Sequence, residues 1–109
     1  MTMVYSFPER RELQQSRNQD KPYTCDFTLY YGDINPAITA ITSADAVIVD
    51  SAGTSTNVGG TEVTYSGLVV TVMLKKELLT STGFWTLKVR GHVSETIADG
   101  EMWFVINVL

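Results

Sequence analysis

His92 is the only histidine in the chain, so general-base work near neutral pH would fall to it. It stands at the end of a strand-like segment. No Gly-x-Ser-x-Gly elbow occurs, and the sequence gives no hint of a carboxylate aligned with it. A solvated surface histidine is the simpler reading. Cys25 is the only cysteine, which excludes an intrachain disulfide and a thiolate metal cluster. It shares the apolar side of its segment with Phe27 and Leu29, as a small buried hydrophobe does and a reactive thiol does not. Asp33 and Asn35 on one loop, and Asp45 and Asp50 at the ends of another strand, offer oxygen ligands. They lack EF-hand spacing, and turn chemistry accounts for Asp and Asn there. Gly59-Gly60 has no lysine or helix after it and is no phosphate cradle. The carboxylates include no close pair of the glycosidase kind. These residues point to no catalytic set, no cofactor and no metal.

The elements that would position such residues follow from size and pattern. At 109 residues the chain has room for one domain, and 44% hydrophobic against 18% charged residues is an ordinary globular balance. A net charge of -4 argues against nucleic acid, whose phosphates call for concentrated Lys and Arg. The first 21 residues stand apart: Arg10, Arg11, Arg17 and Lys21 oppose Glu9, Glu12 and Asp20, while the rest is acidic. The leader reads either as an arm that docks on a neighbour or as a solvated tail. The start reaches charged residues too soon for a signal peptide, and apolar runs fall short of a membrane span. A soluble chain without membrane contact is expected.

From Pro22 onward the hydrophobic period is two. Residues 23–31 read as a half-buried strand, 38–42 as a short strand or irregular edge, and 46–50 as another strand. Residues 51–60 are too small and polar to pack. Strands are expected at 61–65, 68–74, 84–93 and 102–109, with one helical turn at 75–82 whose Leu78 or Leu79 plugs the core. The expectation is an all-β, immunoglobulin-like antiparallel β-sandwich of about seven strands, residues 22–109, with an extended N-terminal arm, residues 1–21.

In the last two strands Trp85, Leu87 and Val89 share one face with Met102, Phe104, Ile106 and Val108. A symmetric connection would pair Trp85 with Val108, Leu87 with Ile106 and Val89 with Phe104. A slip of two residues would keep these faces matched. That leaves Tyr30, Val69, Met73, Phe84, Trp103, Val105 and Leu109 facing outward, with Phe84 opposite Leu109 and Trp103 opposite Arg90. Large apolar groups on a solvated face mark a partner-binding surface. Otherwise Tyr5, Phe7 and Leu13 of the leader would cover them. Either way these ten residues form the candidate partner-binding set.

The strand order resembles that of the small immunoglobulin-like virion proteins of tailed bacteriophages, such as tail-fibre adaptors and neck or baseplate components. The matching segments are Tyr23-Thr24-Cys25-Asp26-Phe27-Thr28-Leu29-Tyr30-Tyr31-Gly32-Asp33 and Ala46-Val47-Ile48-Val49-Asp50-Ser51-Ala52-Gly53. They continue with Val69-Val70-Thr71-Val72-Met73-Leu74, Thr82-Gly83-Phe84-Trp85-Thr86-Leu87-Lys88-Val89 and Trp103-Phe104-Val105-Ile106-Asn107-Val108. The helical 75–81 connection and the polar leader depart from that pattern. The resemblance implies a non-enzymatic structural protein made in the host cytoplasm and localised in the virion. Its partners would be other virion proteins and copies of itself in a symmetric assembly. A capsid cement or decoration protein is the alternative within that class; a monomeric small ligand-binding module or hydrolase is the alternative outside it.

Overall fold

The computed structural model describes residues 4–6 and 13–109, with side chains from residue 13 onward except that of Ile34. In chain order the elements are β1 (Val4–Ser6), β2 (Leu13–Gln15), β3 (Lys21–Asp26), α1 (Thr28–Ile34), β4 (Ser43–Val49) and β5 (Ser55–Asn57). They continue with β6 (Val63–Ser66), β7 (Val69–Leu74), β8 (Gly83–His92) and β9 (Gly100–Val108). Short 3-10 turns occupy Gly60–Glu62 and Lys76–Leu78. Among the described residues no helix is long and apolar enough to cross a membrane.

Alternation fixes which side of each strand faces the core. Val70, Val72 and Leu74 of β7, Trp85, Leu87 and Val89 of β8, and Ile106 and Val108 of β9 are buried, as a period of two requires. Tyr23 and Cys25 of β3 and Ala46 and Ile48 of β4 complete the same apolar core, into which Leu79 also packs beyond the 3-10 turn.

The strands form two open sheets that share this core. In the larger, β9 is followed by β8, β4 and β5 in antiparallel order, while β1 and β2 both pair with the free side of β9; the smaller has the order β3-β7-β6. The expected immunoglobulin-like antiparallel sandwich of about seven strands is therefore not the fold. Nine strands are described, neither sheet closes, and the six-stranded sheet is mixed because β1 and β2 run parallel to β9. Where an extended arm is expected, the leader supplies two edge strands. Its polar composition conceals this. Gln15 is buried because its amide nitrogen donates to the carbonyls of Leu74 and Gln19, both at 3.0 Å, and its oxygen accepts from Tyr23 Oη at 2.9 Å. A buried amide satisfied in this way costs little.

Two further expectations give way, and a third is settled between its alternatives. The strand expected over 23–31 stops at Asp26, whose Oδ1 accepts from the Thr28 amide at 2.9 Å and the Thr28 hydroxyl at 2.5 Å. This local bonding turns the chain out of the ladder and into α1, leaving Leu29 outside at 77% exposed. Of the two readings of residues 38–42, a short strand or an irregular edge, the irregular one holds, with the Ile41 amide donating to the Gly67 carbonyl. The β8–β9 register is shifted by two residues, so Trp85 meets Ile106, Leu87 meets Phe104 and Val89 meets Met102. The core faces stay matched, and the neighbours on the outer face change.

Phe27 and α1 close the end of the core. Phe27 and Tyr31 are fully buried. The Tyr31 hydroxyl donates to the Gly91 carbonyl at 2.6 Å and accepts from the Gly100 amide at 2.8 Å, tying the helix to the last pair of the β8–β9 ladder.

Candidate functional site on the outer face of the six-stranded sheet

Register fixes the composition of this face. Directly opposed residues lie on the same side of a sheet, so Val49, Thr86 and Val105 form one row, Val47, Lys88 and Trp103 the next, and Asp45, Arg90 and Glu101 the third. On the other flank Phe84 faces Asn107, which places it diagonally beside Val105 and, one step beyond the strand, Leu109. Phe84, Val105 and Leu109 are 59%, 54% and 55% exposed. Thr86, Asn107 and Gln14 around them carry no charge, Gln14 being the β2 partner of Asn107.

The upper rows are polar and internally paired. Lys88 Nζ lies 4.8 Å from the Trp103 ring centroid, a cation–π distance. The register shift gives Trp103 this partner in place of the expected Arg90. Arg90 instead bonds Glu101 through Nε at 3.0 Å, and the indole Nε1 of Trp103 donates to the other Glu101 oxygen at 2.7 Å. Glu101 is thereby held with only 3% exposure on what is otherwise an outer face.

His92 is not the solvated residue expected. Its Nε2 lies 2.6 Å from Asp45 Oδ2, and its Nδ1 lies 2.9 Å from Asp99 Oδ1. Two ionised carboxylates are acceptors only, so satisfying both contacts needs a proton on each ring nitrogen. Burial works against the charged ring, but the hydrogen bonds and charges of Asp45 and Asp99 outweigh it and hold the imidazole above its ordinary value. With both nitrogens engaged, no lone pair is left for a substrate. The arrangement is a clamp that fastens the β8–β9 loop to β4. Asp45 and Asp99 stand 47 and seven positions from His92 in sequence, a relation that strand pairing alone reveals.

The ten candidate partner-binding residues do not form one surface. Phe84, Trp103, Val105 and Leu109 come together on this face. Val69 and Met73 are half-buried on β7, facing away from the core on the three-stranded sheet and so on the opposite side of the molecule. Tyr30 lies on α1, its ring 4.7 Å from that of Tyr31 and edge-on to it. Leu13 is half-buried in β2 and packs against the core. Tyr5 is described as a strand position only, pairing with Glu101, and Phe7 lies outside the described residues.

Cys25 is fully buried, and burial pushes its thiol up to about 12. A thiol so rarely ionised is a poor nucleophile. Among the described residues no group of three or more His, Cys, Asp and Glu side chains is placed to hold a metal ion. No protein-family model matches the chain, and no curated protein sequence matches it.

Proposed function

We propose that this chain is a non-enzymatic protein-docking module whose neighbours seat on the outer face of the six-stranded sheet. The observation that carries this is the adjacency of Phe84, Val105 and Leu109, each more than half exposed, on one face. Three large apolar groups held together in water cost free energy that covering them would recover, at roughly 25 cal/mol per Å². The strands beneath are joined by a long antiparallel ladder, so the patch is pre-formed and docking orders little that is not already fixed.

The setting we propose is the tail, neck or baseplate of a bacteriophage virion, with the chain acting as an adaptor between structural subunits. Support for that setting comes from the resemblance of the sequence segments alone, since the fold is not the immunoglobulin-like sandwich they suggested, and repetition around a ring would let a modest patch hold by multivalency. A photo-reactive side chain at position 84 or 109, introduced in cells that make the protein, tests the proposal. Discrete adducts to a structural subunit of a particle are expected, with no such adducts from position 71 on the opposite face. Adducts no more abundant from 84 and 109 than from 71 would overturn the docking reading.

A further inference from the structure

We infer that His92 is a latch worked by pH: with a proton on both ring nitrogens it holds the β8–β9 loop shut on β4, and with one proton removed it releases residues 94–99. The two contacts lie on opposite edges of the ring, Nε2 at 2.6 Å from Asp45 Oδ2 and Nδ1 at 2.9 Å from Asp99 Oδ1. An ionised carboxylate can only accept. A ring with a single N–H therefore turns a lone pair toward one of the two, and that contact becomes repulsive. Asp45 is fixed within β4 opposite Arg90 and makes the shorter contact, whereas Asp99 belongs to the loop. The remaining N–H stays with Asp45, and the loop moves.

The anchors on either side confine the motion. Thr42 holds the first limb: its amide donates to the His92 carbonyl at 2.8 Å, and its hydroxyl reaches the His92 and Val93 carbonyls, both at 3.1 Å. Beneath the loop, Tyr31 Oη joins the Gly91 carbonyl to the Gly100 amide. Between these anchors the described hydrogen bonds of residues 94–98 are internal to the loop, Ile97 amide to Ser94 carbonyl at 3.4 Å and Ser94 hydroxyl with Thr96 hydroxyl at 3.2 Å. The second limb is thus fastened by Asp99 and by the partial packing of Ile97 against the core.

Other charges near the ring do not supply the switch. Arg90 of β8 lies within the field of both Asp45 and Asp99 and is bonded to Glu101 of β9; Glu95 is exposed in the loop itself. Tyr30 and Tyr31 of α1 lie within the field of Asp99, and burial holds both phenols above their ordinary value. Carboxylates and guanidinium ordinarily keep their charge from about pH 5.5 to about pH 9, while imidazole does not. Because Asp45 and Asp99 hold the proton on His92, release comes above the ordinary 6.5.

Methyl relaxation by NMR on the purified full chain, followed together with the His92 ring resonances, is the test. The order parameter of the Ala98 methyl axis should fall from near the rigid value of about 0.85 to below about 0.6 as the ring titrates. That of Ala46, buried in β4, should hold steady. Asp45→Asn should abolish the fall. Its amide nitrogen can donate to Nε2 of a neutral ring whose Nδ1–H then serves Asp99, so the loop stays shut on both sides of the titration. A residue that merely propped the loop would do the reverse and loosen it on substitution. An Ala98 order parameter indifferent to the ring's titration overturns the latch. So does a parallel fall at Ala46, which would be a loosening of the whole fold, or an Asp45→Asn variant that loosens at alkaline pH as the parent does. Thermal melts verify that the variant folds, and the titration of the parent decides the matter if it does not.

Discussion

The ring of Phe27 lies so close to the backbone of Gly100 that a β-carbon on that glycine would sit 2.8 Å from Cδ1 and 3.0 Å from Cε1. Phe27 is fully buried, between α1 and the β8–β9 ladder, and has no open side to retreat toward. Gly100→Ala should therefore destabilise the fold by about 1–3 kcal/mol, as overpacking does in a dense core. Gly91→Ala, whose β-carbon would meet the same ring at 3.3 Å, should cost less. Urea denaturation of the two variants checks the order. Equal losses would mean that the ring moves freely.

Tyr31 supplies the hydroxyl that links the Gly91 carbonyl to the Gly100 amide. Tyr31→Phe keeps the ring and strands one acceptor and one donor in a buried place. Each unsatisfied group costs about 1–3 kcal/mol unless water reaches it. A loss of about 2–4 kcal/mol in denaturation is expected, together with faster exchange of the Gly100 amide. A variant as stable as the parent would show that water enters this end of the core.

How much was legible in the sequence depended on whether one short segment carried the signal. Strands β7 and β8 declare themselves because the buried Val70, Val72, Leu74, Trp85, Leu87 and Val89 alternate with positions that are only partly buried or exposed. Phe27, Leu29 and Tyr31 fit a strand, yet Asp26 diverts the chain through a two-residue hydrogen bond, and only Phe27 and Tyr31 end up inside. The leader's strands are invisible to hydropathy, since Gln15 is buried by virtue of bonds to Leu74 and Tyr23, far from it along the chain or across a turn. On the outer face the apolar residues were readable from alternation. Their neighbours were not, because a two-residue shift in register exchanges Arg90 for Lys88 beside Trp103 without disturbing the core.

The clamp on His92 makes stability depend on pH. The folded ring binds its proton more tightly than the unfolded one does. Its contribution is therefore fully present below the unfolded value near 6.5 and is lost as pH rises through the higher folded value. Asp45→Asn should cost about 0.5–1 kcal/mol near pH 5.5, the size of a partly exposed ion pair. Near pH 8.5 it should cost less. Urea midpoints at the two pH values, with the His92 ring resonances followed by NMR, test this. A larger cost at the alkaline end would mean that the ring is neutral between its two carboxylates.

Phe84 and Trp103 share the outer face but should respond differently to the same change. Phe84 is 59% exposed, and none of its atoms is needed by a buried polar group. Phe84→Ser should thus leave stability within about 0.5 kcal/mol of the parent. Trp103→Ser removes the indole N–H that donates to Glu101, a carboxylate with 3% exposure whose other oxygen is already committed to Arg90. It should cost about 1–3 kcal/mol, the penalty for a buried charged acceptor that loses a donor. Trp103→Ser combined with Glu101→Gln should cost less than the two single losses added together, because a neutral amide suffers less from the missing donor. Additive losses would show that Glu101 draws its stability there from Arg90 alone.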